Sequence, residues 1–148
     1  MRIALLALMM TAPLSLSAVA PEIKSTTKIT VSADDLVQPI EITDEAVLVL
    51  SHVFAGKFID HLAPAPDLAL PRYTLTFDIQ TLQGVKEAAY VVVYCVDNAT
   101  GEGFVYLPGR GEPSYRRNVS TILRVGQDGY WHRASEEWST VINRYVRP

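Results

Sequence analysis

The sharpest hydrophobic pattern in the chain runs from Tyr73 to Gln80. Tyr73, Leu75, Phe77 and Ile79 alternate with Thr74, Thr76, Asp78 and Gln80, which predicts a strand with one dry and one wet face. Gln83-Gly84 opens a turn, and residues 89–96 are then apolar at every position. A strand without a wet face belongs inside a sheet, covered on both sides. Asp97 to Gly103 collects turn formers, and Phe104–Leu107 returns as the hairpin partner. A second hairpin is predicted over 120–134 around Gly126-Gln127-Asp128-Gly129. Ser135 can cap a last helix with Glu136 and Glu137 in its first turn. Trp138, Ile142 and Tyr145 recur at helical spacing, and Arg144 and Arg147 complement the dipole at the end.

The first half is less regular. Residues 21–32 form a polar lead-in that ends in a short strand over Lys28–Ser32, and Ala33-Asp34-Asp35 is a turn. Over residues 44–58 two readings compete. Thr43 followed by Asp44 and Glu45 suits a helix start, with Val47, Leu50 and Phe54 at helical spacing. The run Ala46-Val47-Leu48-Val49-Leu50 also suits a buried strand, and periodicity does not separate them; the β-branched content and Gly56 tip the reading to strand. Pro64, Pro66 and Pro71 make Ala63–Pro71 an extended loop. Glycines and prolines likewise mark Pro108–Asn118 as a long connection. Together these elements predict an α+β, β-dominated fold: a mainly antiparallel sheet, with hairpins over 73–96/104–107 and 120–134, and a C-terminal helix. An all-β sandwich is the alternative.

The N-terminus changes the setting. Met1-Arg2 is basic, Ile3–Ala12 is apolar, Pro13 interrupts, and Ala18-Val19-Ala20 offers small residues at a cleavage site. This is the layout of a secretory signal peptide over residues 1–20, and the run falls short of the ~20 apolar residues that span a bilayer. The reading is an exported protein, periplasmic or secreted, with no stable membrane insertion after cleavage. It is no lipoprotein, because the single cysteine is Cys95. Residues 33–148 then make one globular domain, large enough to fold without disulfides. Cys95 lies in the all-apolar run and reads as a buried small hydrophobe.

Charge is unevenly spread. Residues 21–102 carry twelve acids and five bases; residues 103–148 carry four acids and seven bases, every one an arginine. Arginine presents a planar fork suited to carboxylate, phosphate or sulfate. The candidate ligand-binding residues are Arg110, between two glycines, then Tyr115, Arg116 and Arg117 on the same loop. Trp131 and Arg133 join them as a pair on one strand face. The competing expectations are that these arginines pair with the acidic half, and that Trp131 packs beneath the final helix against Trp138. His52, His61 and His132 lack metal-ligand spacing, Ser51-His52 lacks a nucleophile elbow, and no cofactor motif is present. Asn98-Ala99-Thr100 and Asn118-Val119-Ser120 fit the glycosylation sequon, but such matches arise by chance and the alanine-rich leader has a bacterial style. The expected function is a binding or inhibitor-type module for an anionic small molecule, a glycan or an envelope protein, and not for nucleic acid. The alternatives are a periplasmic hydrolase with a non-motif active site assembled from His132, arginines and loop acids (Asp97, Glu102 and Glu112 could meet near one sheet end), and a structural subunit of an envelope assembly.

Overall fold

A computed structural model describes residues 25–53, 56–81, 83–118 and 126–146; the export signal falls outside them, as does the first strand of the second predicted hairpin. Structure begins earlier than the lead-in reading allowed. β1 (Thr26–Ser32) is paired on both sides, with β2 (Ile40–Ile42) and with β4 (Arg72–Gln80). The polar composition of this stretch misled because its two apolar residues, Ile29 and Val31, share one face and are fully buried. The opposite face is wet: Lys28 bridges Glu41 at 2.9 Å and Asp78 at 3.4 Å.

Residues 45–50 are a helix, α1 (Glu45–Leu50), and not the strand the composition favoured. Asp44, rather than Thr43, caps it by accepting the Ala46 amide at 2.9 Å, and Glu45 in the first turn favours the helix dipole. Of its apolar run only Val47 is buried outright; a helix suits one inward position every turn, where a central strand would have hidden them all. The remaining elements are β3 (Ile59–Leu62), β5 (Lys86–Val96), β6 (Gly103–Tyr106), α2 (Tyr115–Asn118), β7 (Trp131–Ala134) and α3 (Glu136–Val146). The strands form one antiparallel sheet in the order β2-β1-β4-β5-β6-β7-β3. With the C-terminal helix this is an α+β, β-dominated fold. No helix among the described residues is long and apolar enough to cross a membrane.

The core lies between the sheet and the pair α1 and α3. Phe58 stacks on Phe77 (5.2 Å) and meets Trp138 (5.5 Å), while Tyr94 stands edge-on to Trp138 (5.1 Å). Each large side chain removed from water adds roughly 1.5–3 kcal/mol, and aromatic geometry contributes further. A buried polar triangle fixes the register of these layers. Trp138 Nε1–H donates to Ser51 Oγ at 2.8 Å, Ser51 Oγ–H donates to the Val47 carbonyl at 2.6 Å, and Thr26 Oγ1–H donates to the Ser51 carbonyl at 2.7 Å. One serine thereby joins α1, α3 and β1.

The connection from β3 to β4 has the longest lateral path. β3 is the strand beyond β7, and β7, β6 and β5 separate it from β4. Four strand spacings come to ~19 Å, within reach of the segment 63–71. The Ala63 amide donates to the Trp131 carbonyl at 2.9 Å, and the Arg72 guanidinium donates to the carbonyls of Pro66 and Leu68. The proline segment is therefore a strap across the sheet face that the helices leave bare.

Replacing Ser51 by Ala strands the Trp138 N–H in the core. The expected loss is about 1–3 kcal/mol of unfolding free energy, measured by denaturant titration; Trp138→Phe in the Ser51→Ala background should then cost less than it does alone.

Candidate functional site

Strand register builds two rows on the bare face. Arg72, Cys95, Phe104 and Arg133 are cross-strand neighbours in one row; Thr74, Val93, Tyr106 and Trp131 form the next. Trp131 therefore lies on the side opposite α3 and does not pack against Trp138, contrary to the expectation from its size. It sits against Tyr106 (centroids 5.3 Å) with the Arg72 guanidinium 5.7 Å over its ring. Burial there comes from the neighbouring row and from Arg72 beneath the strap, so a large ring is half-sheltered without entering the core. Arg133 lies over Phe104 at 5.1 Å and bridges Glu102 at 2.6 Å. Cys95 is fully buried in its row, and burial raises its thiol pKa above the ordinary value, as befits a packing thiol.

Strand parity sends His132 inward instead, where it is 1% exposed. Its Nε2 accepts the Gln127 amide at 3.0 Å, and among the described residues its Nδ1 has no partner. Burial holds the imidazole below its ordinary pKa, and the Tyr130 and Val105 carbonyls and Asp128, which favour the charged form, do not offset it. A general base needs reach to a substrate proton, and this histidine is enclosed. A hydrolase built on it has no geometric support.

The segment 107–118 is anchored from both ends. Leu107 exchanges backbone hydrogen bonds with the 129–130 turn. The Tyr106 hydroxyl donates to Glu112 Oε1 at 2.5 Å, and the Gly109 amide donates to the same oxygen at 2.7 Å. The carboxylate acceptor pushes the Tyr106 pKa up to about 12. Glu112 thus clips a four-residue turn closed by the bond from its own amide to Gly109 O. Gly111 takes the left-handed position of that turn with φ 99°, where a side chain is strained. Arg110 stands at its tip, exposed.

α2 carries Tyr115, half-buried, and Arg116 and Arg117, both exposed. It ends on Asn118, which is buried. The side chain accepts the Val91 amide at 2.8 Å through Oδ1 and donates to the Val91 carbonyl at 2.7 Å through Nδ2. Continuing the β5–β6 register would set Val91 opposite Pro108, which has no N–H to give. The Asn118 amide replaces the missing peptide group, and its burial at 4% exposure leaves no room for a glycan on that nitrogen.

Among the described residues, Arg110, Arg116 and Arg117 have no carboxylate within salt-bridge distance; Arg133 alone of the six sequence candidates is ion-paired. The structure brings Trp131 and Arg133 onto one face and joins the loop to that face through Tyr106 and Glu112. Sequence reasoning missed Tyr106 and Arg72, and it missed the role of Glu112 as the clip of the loop. Tyr106 and Arg72 could have been found from outward strand parity; the Glu112 clip leaves no such signal. Comparison with known proteins returns no match among protein families, curated proteins or solved structures.

Two outcomes follow from this geometry. The folded-state pKa of His132 is depressed, so its contribution to stability is whole above its unfolded value near 6.5 and declines as pH falls through that value. Melting temperatures between pH 7.5 and 5 should drop more steeply for the wild type than for His132→Phe. Asn118→Ala leaves both polar groups of Val91 unpaired and should cost about 3 kcal/mol, read from chemical denaturation.

Proposed function

We propose that this protein is a small exported binding module that takes an anionic ligand, glycan or acidic protein surface on its 108–118 segment and the aromatic face beside it. One observation carries the reading: three arginines within eight positions of a clipped loop and a one-turn helix are exposed and unpaired among the described residues. Internal ion pairing, the competing expectation, would have placed carboxylates beside them. Charges this close in sequence act within a Debye length of ~8–10 Å, and their forks suit oxyanions bidentately. Trp131 stabilises the platform and is not itself the ligand's stacking surface, since Tyr106 and Arg72 already occupy it. Tyr130, half-exposed beside Leu107 and Gly129, is a further ring at the margin. Loops held on a rigid sheet are common carriers of binding.

The protein should be retained on an immobilised sulfated polysaccharide at low salt. The Arg110→Ala, Arg116→Ala, Arg117→Ala triple variant should elute at clearly lower salt with stability changed by no more than about 0.5 kcal/mol per site. Unchanged elution, or a large loss of stability in the variant, would overturn the proposal.

A further inference from the structure

A cleft of about 580 Å³ opens at the far end of the sheet from the arginine loop's clip, between the β5–β6 turn, β3 and α3. Its size falls within the ~300–1,000 Å³ of small-molecule sites. Its walls are polar and come from separate parts of the chain: Asp60 from β3, Thr100 and Glu102 from the turn, Arg133 from β7, and Glu136 and Asn143 from α3. From this lining we propose a second binding site, one for a small hydroxylated amine of the amino-sugar type.

The charge count selects a cation. Three carboxylates face one guanidinium, and Arg133 is already bonded to Glu102, which leaves Asp60 and Glu136 without a Lys or Arg partner among the described residues, with the His61 ring 3.5 Å from Asp60. The α3 N-terminus offsets this by roughly half a charge and does not reverse it. The ligand's hydroxyls have partners as well. Asn143 Oδ1 accepts the Tyr94 hydroxyl at 2.8 Å, which fixes the amide with Nδ2 still able to donate. Ser139 also lines the cleft; it is 6% exposed, and among the described residues its Oγ has no hydrogen-bond partner. That oxygen is itself closed to solvent, so it shapes the cleft floor, and Asn143 Nδ2 is the group that meets the ligand's hydroxyl.

Glycine is required where β6 packs against α3 at the floor of the cleft. A Cβ on Gly103 would stand 2.5 Å from the Tyr94 hydroxyl and 2.7 Å from Ser139 Oγ, so the floor accepts only glycine. No described group of three or more His, Cys, Asp or Glu could hold a metal ion; the carboxylates are spread along the walls, as a polyatomic cation requires.

The test is a two-dimensional amide NMR titration of the purified protein with glucosamine, N-acetylglucosamine and glucuronate at matched ionic strength. Glucosamine should give saturable shifts at Thr100, Gly101, Glu102, Ala134 and Asn143. Binding should be about fivefold weaker for N-acetylglucosamine, the effect of losing one partly exposed ion pair, and absent for glucuronate. Asp60→Asn with Glu136→Gln should remove the preference for the amine, and Thr140→Arg, at an exposed helix position, should block the cleft without unfolding the chain. Equal binding of the two sugars, absence of saturable shifts, or wild-type binding by Thr140→Arg would each overturn the proposal. None of these results bears on the arginine loop, whose probe is anionic.

Discussion

The Ser51 hydroxyl is the point on which the layers of this molecule converge. It stands at the end of α1, accepts from the α3 tryptophan and returns its own proton to the first turn-length of backbone behind it, while its carbonyl holds Thr26 at the start of β1. Each of those groups is buried, where an unmet donor or acceptor costs more than a satisfied one gains. The apolar core around it would tolerate small slides of helix against sheet; hydrogen bonds of 2.6–2.8 Å do not. α3 is consequently set in one place, and with it the strand β7 that leads directly into it.

That placement decides what faces outward. With α1 and α3 filling one side, the other side of β5, β6 and β7 is left to the proline strap, the Tyr106–Trp131 pair and the loop that Glu112 clips to them. The exposed arginine loop and the aromatic pair are thus built on the back of the core, on strands whose front faces are locked. The same strands run on to the cleft end, where Arg133 sits one same-face row beyond Trp131, opposite Phe104, and Gly103 follows as the last residue of the β5–β6 pairing. Two polar regions of opposite character share one rigid support.

The sequence disclosed what local pattern can disclose. The Tyr73–Gln80 alternation, the doubly apolar 89–96 run and the capped final helix all stand where periodicity put them. α1 was hidden because its identity depends on Asp44 and on Ser51, whose partner lies 87 residues away. Trp131 and His132 show a different limit. Alternation says that they face opposite ways, but it does not say which way α3 lies, and ring size argued for the wrong one. In the candidate site the arginines were legible because nothing nearby in sequence explained them. Glu112 was not, since a loop acid that clips a tyrosine looks like any solvated acid until the strand beneath it is known.

The order of the strands has a consequence for how the chain reaches this state. β3, near the middle of the sequence, pairs with β7 alone among the described strands, so that Ile59 waits for Ala134. Loop closure over such a distance is slow, and contacts of high sequence separation delay folding. The N-terminal strands can find β4 and β5 early, but Phe58, Trp138 and the edge strand assemble together at the end. Residues 131–146 are therefore the keystone in time as well as in space: until they are in place, Phe58 and Tyr94 lack the Trp138 ring they pack against, and the proline strap lacks the outer strands it lies across.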